Sequence, residues 1–434
     1  MKMKKIIYIT NTSHTLVSLR MNLMKSMKRD GYDVYAGAPR DKNSNIIVDN
    51  KISFCNIPMS QTGMNIIEEV RTIIYLIKTF LRVKPDIIHL YSIKAVVWGG
   101  LSAVFFPSSK VVSTFTGMGI LRSCSERLQG VLFAIIRFSH NRNKKYIFQN
   151  QPDLEFFEKY TKISGCTYMI SGSGVDTEFF KRDNENSGKR TFLMFSRMLY
   201  SKGVLEYLNA VKKLNDSVSD QADFLLLGGA YPSNPNQIAE EWLAGNDAID
   251  SRLLLSKSAE AKVEWIEHSN NVLKYLNKSD VVILPTYYPE GLPRSLLEAM
   301  SCENAIITTK MPGCEDVVDG SNGFLVDPKN VDQLKKCIEK FILMSNSDFK
   351  NMKKRSRKLV LQRFSDDVVI RKYKNLVSTE IYLHLQDDEI EFSNPTFQEL
   401  YSTIIHQLNQ LEKLHINDLV NHANIEIGKV ITSV

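Results

Sequence analysis

Short aliphatic and β-branched runs, each followed by a stretch of helical length, recur through most of this chain and constrain its fold more than any other feature. In the first half, residues 5–10, 32–36, 85–89, 110–114 and 145–149 read as strands. Between them, residues 16–27 read as a helix ended by Asp30-Gly31. Ile66–Val83 reads as another, with Ile66, Ile67, Val70, Ile73, Ile74, Ile77 and Phe80 near the helical period. From about Ser171 to Arg190 the composition turns to Gly, Ser, Asp, Asn and Lys, as in a linker. A second series of strands then opens at 191–197 and continues through 222–229, 262–265, Val281–Leu284, 305–308 and Gly323–Val326. Such alternation builds parallel, doubly wound sheets. At 434 residues the chain exceeds one ordinary core. The expected fold class is therefore α/β, with two Rossmann-like domains (1–170 and 191–364) facing across a cleft and joined by a linker at 171–190.

Beyond the second series, Ser365-Asp366-Asp367 supplies N-cap chemistry for a helix over 365–385. Residues 386–434 read as a helical extension, with Tyr401, Ile404, Leu408 and Leu411 in three–four spacing. That stripe either makes a homo-oligomer contact or docks on its own domain.

Charge and composition narrow the function classes. No segment reaches the roughly 18 apolar residues of a membrane span. The basic start and first strand do not read as a secretory signal. Six scattered cysteines without Cys-x-x-Cys spacing indicate neither a zinc site nor a disulfide frame, and a reducing cytoplasm fits them. The net charge of +7 is uneven: residues 1–190 hold 28 Lys/Arg against 15 Asp/Glu, while the remainder is mildly acidic. A basic front half suits an anionic partner. No recognition module or aromatic–basic interleaving points to nucleic acid. An anionic membrane surface or a pyrophosphate-bearing acceptor suits the pattern better.

The run Pro289-Glu-Gly-Leu-Pro-Arg-Ser-Leu-Leu-Glu298 carries the strongest functional signal. It follows the strand Val281–Leu284, and Arg294 to Met300 reads as a helix with Pro293 in its first turn. Glu290 then lies in the loop at a strand's carboxyl end, and Glu298 about two turns into the helix. Ligands of open α/β sheets bind in that crevice. Two acceptor-only carboxylates suit a polyhydroxylated ligand, and N–H groups at the helix start suit an anion. Ser196-Arg-Met-Leu-Tyr-Ser-Lys-Gly203 ends the first strand of the second half, placing the Arg197 fork and the Lys202 point charge where a pyrophosphate could lie. Gly229 closes the next strand, where a missing side chain lets backbone approach a ligand.

These two motifs resemble glycosyltransferase family 4, retaining enzymes of the GT-B fold, and more narrowly its bacterial surface-polysaccharide subgroup. Pro312-Gly-Cys-Glu315 and Gly320-Ser-Asn-Gly323 are similar to the same family. The resemblance implies donor binding by Arg197, Lys202, Glu290, Gly291, Leu292, Pro293, Glu298 and Gly229, with Glu290, Arg197 and Lys202 acting in catalysis. Glu298 would hold the ribose hydroxyls and Glu290 the transferred sugar. The resemblance also implies that the helix over 365–385 returns to the first domain, where the match is looser. His89 and Lys94 fit the family's strand-end pattern, whereas Tyr91 and Thr116 stand where histidines are common. On the acceptor side the resemblance implies Ser13, Arg20, Lys94, Thr116 and Gly117; His89 itself reads as a satisfied core residue. No Asp-x-Asp follows an apolar strand, so no metal and no cofactor are expected beyond a nucleotide-sugar donor, UDP-sugar favoured. The implied reaction moves a hexose or N-acetylhexosamine to an undecaprenyl-pyrophosphate-linked saccharide in O-antigen, capsule or related glycan synthesis. It would occur at the cytoplasmic membrane's inner face. The basic stretch 123–146 either lies in the membrane interface or packs one face on the sheet. Two rivals remain. A GT-B nucleotide-sugar 2-epimerase would turn over its substrate without an acceptor. A carbohydrate-binding or assembly protein would keep its partner after loss of Arg197 and Lys202.

Overall fold

The computed structural model describes residues 3–378, apart from 61–64, 142, 184–187, 215–217, 219, 231–246, 268 and 270. The extension expected at 386–434, and residues 379–385 of the helix expected before it, lie outside the described residues. Two parallel sheets organise the rest. The first contains β1 (Lys5–Ile9), β2 (Asp33–Ala38), β3 (Ser53–Asn56), β4 (Ile87–Tyr91), β5 (Lys110–Phe115), β6 (Lys144–Phe148) and β7 (Thr167–Met169), ordered β3-β2-β1-β4-β5-β6-β7. The second contains β8 (Arg190–Phe195), β9 (Ala222–Leu227), β10 (Glu264–Ile266), β11 (Val281–Leu284), β12 (Ala305–Thr309) and β13 (Gly323–Val326), ordered β10-β9-β8-β11-β12-β13. In each sheet the strand order reverses once, between β1 and β4 and between β8 and β11. Those reversals open crevices at the strands' carboxyl ends.

Every residue of β11 is buried, which explains its unbroken apolar run: helices cover both faces. Successive side chains go to opposite sides, as the strand period of two requires. Val281 and Ile283 join a core with Val204, Tyr207 and Phe341, whereas Val282 and Leu284 join one with Leu296, Leu297 and Val360. The first sheet has a polar spine instead. The His89 ring shares hydrogen bonds with Thr114 Oγ1 (2.9 Å) and Tyr91 Oη (3.1 Å), and the Arg20 guanidinium stacks 4.1 Å over the Tyr91 ring. Burial, seconded by the Arg20 charge, holds the His89 pKa well below its ordinary value, so the ring is neutral at pH 7.

The helix expected at 16–27 is built in three pieces: Ser13–Thr15, a π-helical turn at Leu16–Arg20 and Met21–Arg29. A π turn inserts one extra residue per turn, a change that hydrophobic periodicity does not reveal. The linker returns along the final segment, where Val175 N–H donates to the Phe364 carbonyl and Asp366 N–H to that of Val175 (3.1 and 2.9 Å). A helix then runs Asp366–Ser378. A cavity of about 670 Å³ at this crossing is lined by Lys25, Lys28, Asp176 and Asp366 among others, and by none of the residues singled out for donor binding.

Candidate active site

The loops after β8 and β11 flank the strand-order reversal of the second sheet, and they bring Lys202 and Glu290 into an ion pair. Lys202 ends a single 3-10 turn, Tyr200–Lys202, followed by Gly203 at φ 78°. Glycine is required there: a β-carbon would strike the Pro285 carbonyl oxygen. Ser201 completes the junction, its carbonyl accepting from Tyr287 N–H (2.9 Å) and Thr286 Oγ1 (3.0 Å). Both charged side chains are largely buried, and Lys202 Nζ also lies 5.8 Å from the centre of the Tyr288 ring. Arg197 is exposed on the same rim. The Tyr288 hydroxyl is pushed up to about 12, first by burial and then by the Glu290 charge, with Arg197 opposing.

Pro293 is the N-cap of helix Arg294–Ser301 rather than part of its first turn. Glu298 accordingly lies four residues in, little more than one turn and not two. Arg294 reaches it at 2.7 Å in an i,i+4 pair. Burial raises the Glu298 pKa, against the pull of Arg294. Arg294 also donates to the Ser18 carbonyl in the π turn of the first domain.

The two domains touch through glycines. A side chain at Gly291 would strike the Thr116 carbonyl oxygen, one at Gly313 would strike the Gly291 carbonyl oxygen, and one at Gly117 would come 2.9 Å from Gly291 N. Thr116 and Gly117 thus face the Glu290–Gly291 backbone directly. Tyr288 covers Gly119, where a β-carbon would lie 2.7 Å from its ring.

The remaining residues expected on the acceptor side lie around the crevice of the first sheet. Ser13 is buried and donates to Asp41, Arg20 is buried against Tyr91, and Lys94 Nζ contacts Glu69 Oε1 and Ser60 Oγ, each at 2.6 Å. Gly229 is exposed beyond β9, beside the Glu267 carbonyl. Sequence reasoning gave no site role to Asn150, Asp153, Tyr288, Arg294 and Gly313, all of which contact or belong to the loops around Glu290 or, for Asp153, touch their contacts. The only signal for Asn150-Gln-Pro-Asp153 was that of a helix cap, which is silent about the opposite domain.

Two parallel α/β domains meeting at their strand ends, with a cation and a carboxylate at the reversal, are the GT-B architecture. Residues 5–150 match the family model described as glycosyl transferase 4-like, and residues 175–359 that for glycosyl transferases group 1. The chain thus carries two glycosyltransferase domains, a 4-like domain followed by a group 1 domain. Among its relatives is the N,N'-diacetylbacillosaminyl-diphospho-undecaprenol alpha-1,3-N-acetylgalactosaminyltransferase of Campylobacter jejuni, 22% identical over 86% of this chain and 98% of the relative. Another is the UDP-Gal:alpha-D-GlcNAc-diphosphoundecaprenol alpha-1,3-galactosyltransferase of Escherichia coli, 23% identical over 76% of this chain and 84% of the relative. Among solved structures, Anabaena Alr3699/HepE in complex with UDP and glucose superposes with a TM-score of 0.70 at 16% identity, covering 87% of this chain and all of that one.

Proposed function

We propose that the protein is a retaining glycosyltransferase moving a hexose or N-acetylhexosamine from a nucleotide-diphosphate sugar, with UDP the favoured nucleotide. Its acceptor is a saccharide on a lipid pyrophosphate, at the inner face of the cytoplasmic membrane. The observation that carries this reading is the Lys202–Glu290 pair set against Thr116–Gly117: a charge for a diphosphate and an acceptor for sugar hydroxyls, facing the domain that would bring the second substrate. The relatives' lipid-diphosphate acceptors and the UDP and glucose of the Anabaena protein support the choice of substrates.

As the bond between the anomeric carbon and the β-phosphate oxygen breaks, negative charge grows on the departing diphosphate. Lys202, Arg197 and the Gly291 and Leu292 N–H groups stabilise it, an electrostatic contribution that needs no reorganisation at the moment of reaction. The acceptor hydroxyl bonds the anomeric carbon from the same face and passes its proton to the leaving phosphate oxygen, so configuration is retained. Glu290 holds sugar hydroxyls and Glu298 the ribose, and neither acts as a nucleophile, in contrast to glycosidase pairs. With two cations at the diphosphate, activity is independent of divalent metal.

Incubating purified protein with a panel of UDP- and GDP-sugars and a synthetic lipid-pyrophosphate saccharide, with and without EDTA, tests the reading. Mass and NMR analysis should show one added sugar in the donor's anomeric configuration, equally in both conditions. Failure to bind or transfer from any donor sinks it, and inversion removes the mechanism.

A further inference from the structure

Asn150 links the two halves of the site in a way that the ion pair does not. It follows β6 and N-caps the helix Gln151–Thr161, its Oδ1 accepting from Asp153 N–H at 2.9 Å. An N–H can only donate, so this bond fixes which end of the carboxamide is oxygen. The other end, Nδ2, shares its two hydrogens among three acceptors, the carbonyls of Glu290 (3.0 Å) and Gly291 (3.1 Å) across the domain boundary and Asp153 Oδ2 (3.1 Å). Asp153 is 1% exposed and also accepts from Met118 N–H at 3.0 Å. One Asn–Asp pair therefore grips both the loop Thr116–Met118 and the loop bearing Glu290.

The peptide bonds here are trans, so each carbonyl and the next N–H point opposite ways in one plane. Holding the Glu290 and Gly291 carbonyls on Asn150 turns the Gly291 and Leu292 N–H groups away from it. Among the described residues neither N–H donates a hydrogen bond, although both residues are buried. A buried N–H left without an acceptor is costly, and a ligand oxygen would relieve it.

We propose that Asn150 is a positioning residue of the donor loop. From the opposite domain it aims the Gly291 and Leu292 N–H groups at an oxygen of the donor, and through Asp153 it ties that aim to the loop at Thr116–Met118. The functional half of this inference rests on the transferase reading; the structural half does not.

Asn150→Ser separates cap from latch, because serine caps as well as asparagine but cannot span to the two carbonyls. Hydrogen–deuterium exchange of peptides covering 288–293 should quicken about 10-fold or more, while those in Gln151–Thr161 keep wild-type protection. Turnover per UDP-binding site, counted by calorimetry, should fall roughly 10- to 100-fold; a merely structural defect would lower the number of sites instead. Asn150→Asp, which keeps length and cap but turns acceptors toward the carbonyls, should behave alike and decides the matter should the serine variant not fold. Unchanged exchange at 288–293, or wild-type turnover per site, overturns the proposal. Should the wild-type protein use no nucleotide sugar, the transferase reading falls while the exchange result still decides the latch.

Discussion

Lys202 and Glu290 come from loops 88 positions apart, yet form an ion pair with side chains 13% and 17% exposed. Removing one partner strands the other in a partly desolvated place. On the proposed reading, Lys202→Ala should therefore lower turnover roughly 100-fold or more, since it would also delete a charge from the departing diphosphate. Steady-state kinetics with a saturating donor measures this. His89 gives a prediction of a different kind. Its folded pKa is depressed, so below the ordinary value of 6.5 the unfolded chain binds the extra proton and the native state loses stability as pH falls. His89→Gln should flatten that acid limb by up to about 1.4 kcal/mol per pH unit, read from urea unfolding at several pH values. His89 was legible as a core residue from its apolar strand. Asn150 was not legible as more than a cap, because a hydrogen bond to a loop 140 residues away leaves no local pattern.

Elements whose sequence is governed by burial were the easiest to read. Val281–Leu284, Gly323–Val326 and the helix Ile66–Val83 have the bounds expected of them. The edge strands β3 and β7 were not anticipated: they are three or four residues long, partly exposed and mix polar with apolar residues, so no apolar run announces them. The π turn and the shallower seat of Glu298 escaped for geometric reasons. The loop contacts make a test at this scale. Gly291→Ala places a methyl against the Thr116 carbonyl oxygen, so the loop must withdraw from the first domain. Transfer should drop at least about 10-fold, as even 1 Å of misplacement can cost 100-fold. Thermal unfolding monitored alongside should shift by only a few degrees, roughly the effect of 1 kcal/mol. Unimpaired transfer would show that the close approach is not needed.

At the scale of the molecule's surface, exposed apolar side chains and cations share a face among the described residues. No described helix is long and apolar enough to cross a membrane. Helix Ile66–Val83 instead leaves Ile66 and Ile67 each 80% exposed, with Val70, Ile74 and Leu81 on the same flank and Arg71, Lys78 and Arg82 beside them. Phe138, on helix Glu126–Ser139, is 74% exposed. Such an apolar stripe rimmed by cations suits the surface of an anionic bilayer. Ile66→Glu with Ile74→Glu should weaken binding to phosphatidylglycerol-containing vesicles about 10-fold or more in sedimentation assays, and turnover on a short-chain soluble acceptor should stay within about twofold. Equal vesicle binding by the double variant would remove this face from the membrane contact. The pairing of Lys202 with Glu290 also bears on what the crevice admits. Before a donor arrives, ammonium and acid satisfy each other. A bare diphosphate would claim the lysine and leave the acid deserted, and a free sugar would do the reverse. On the proposed transferase reading, only a molecule carrying both groups at once satisfies both side chains, so the pair would discriminate against either fragment of the donor alone.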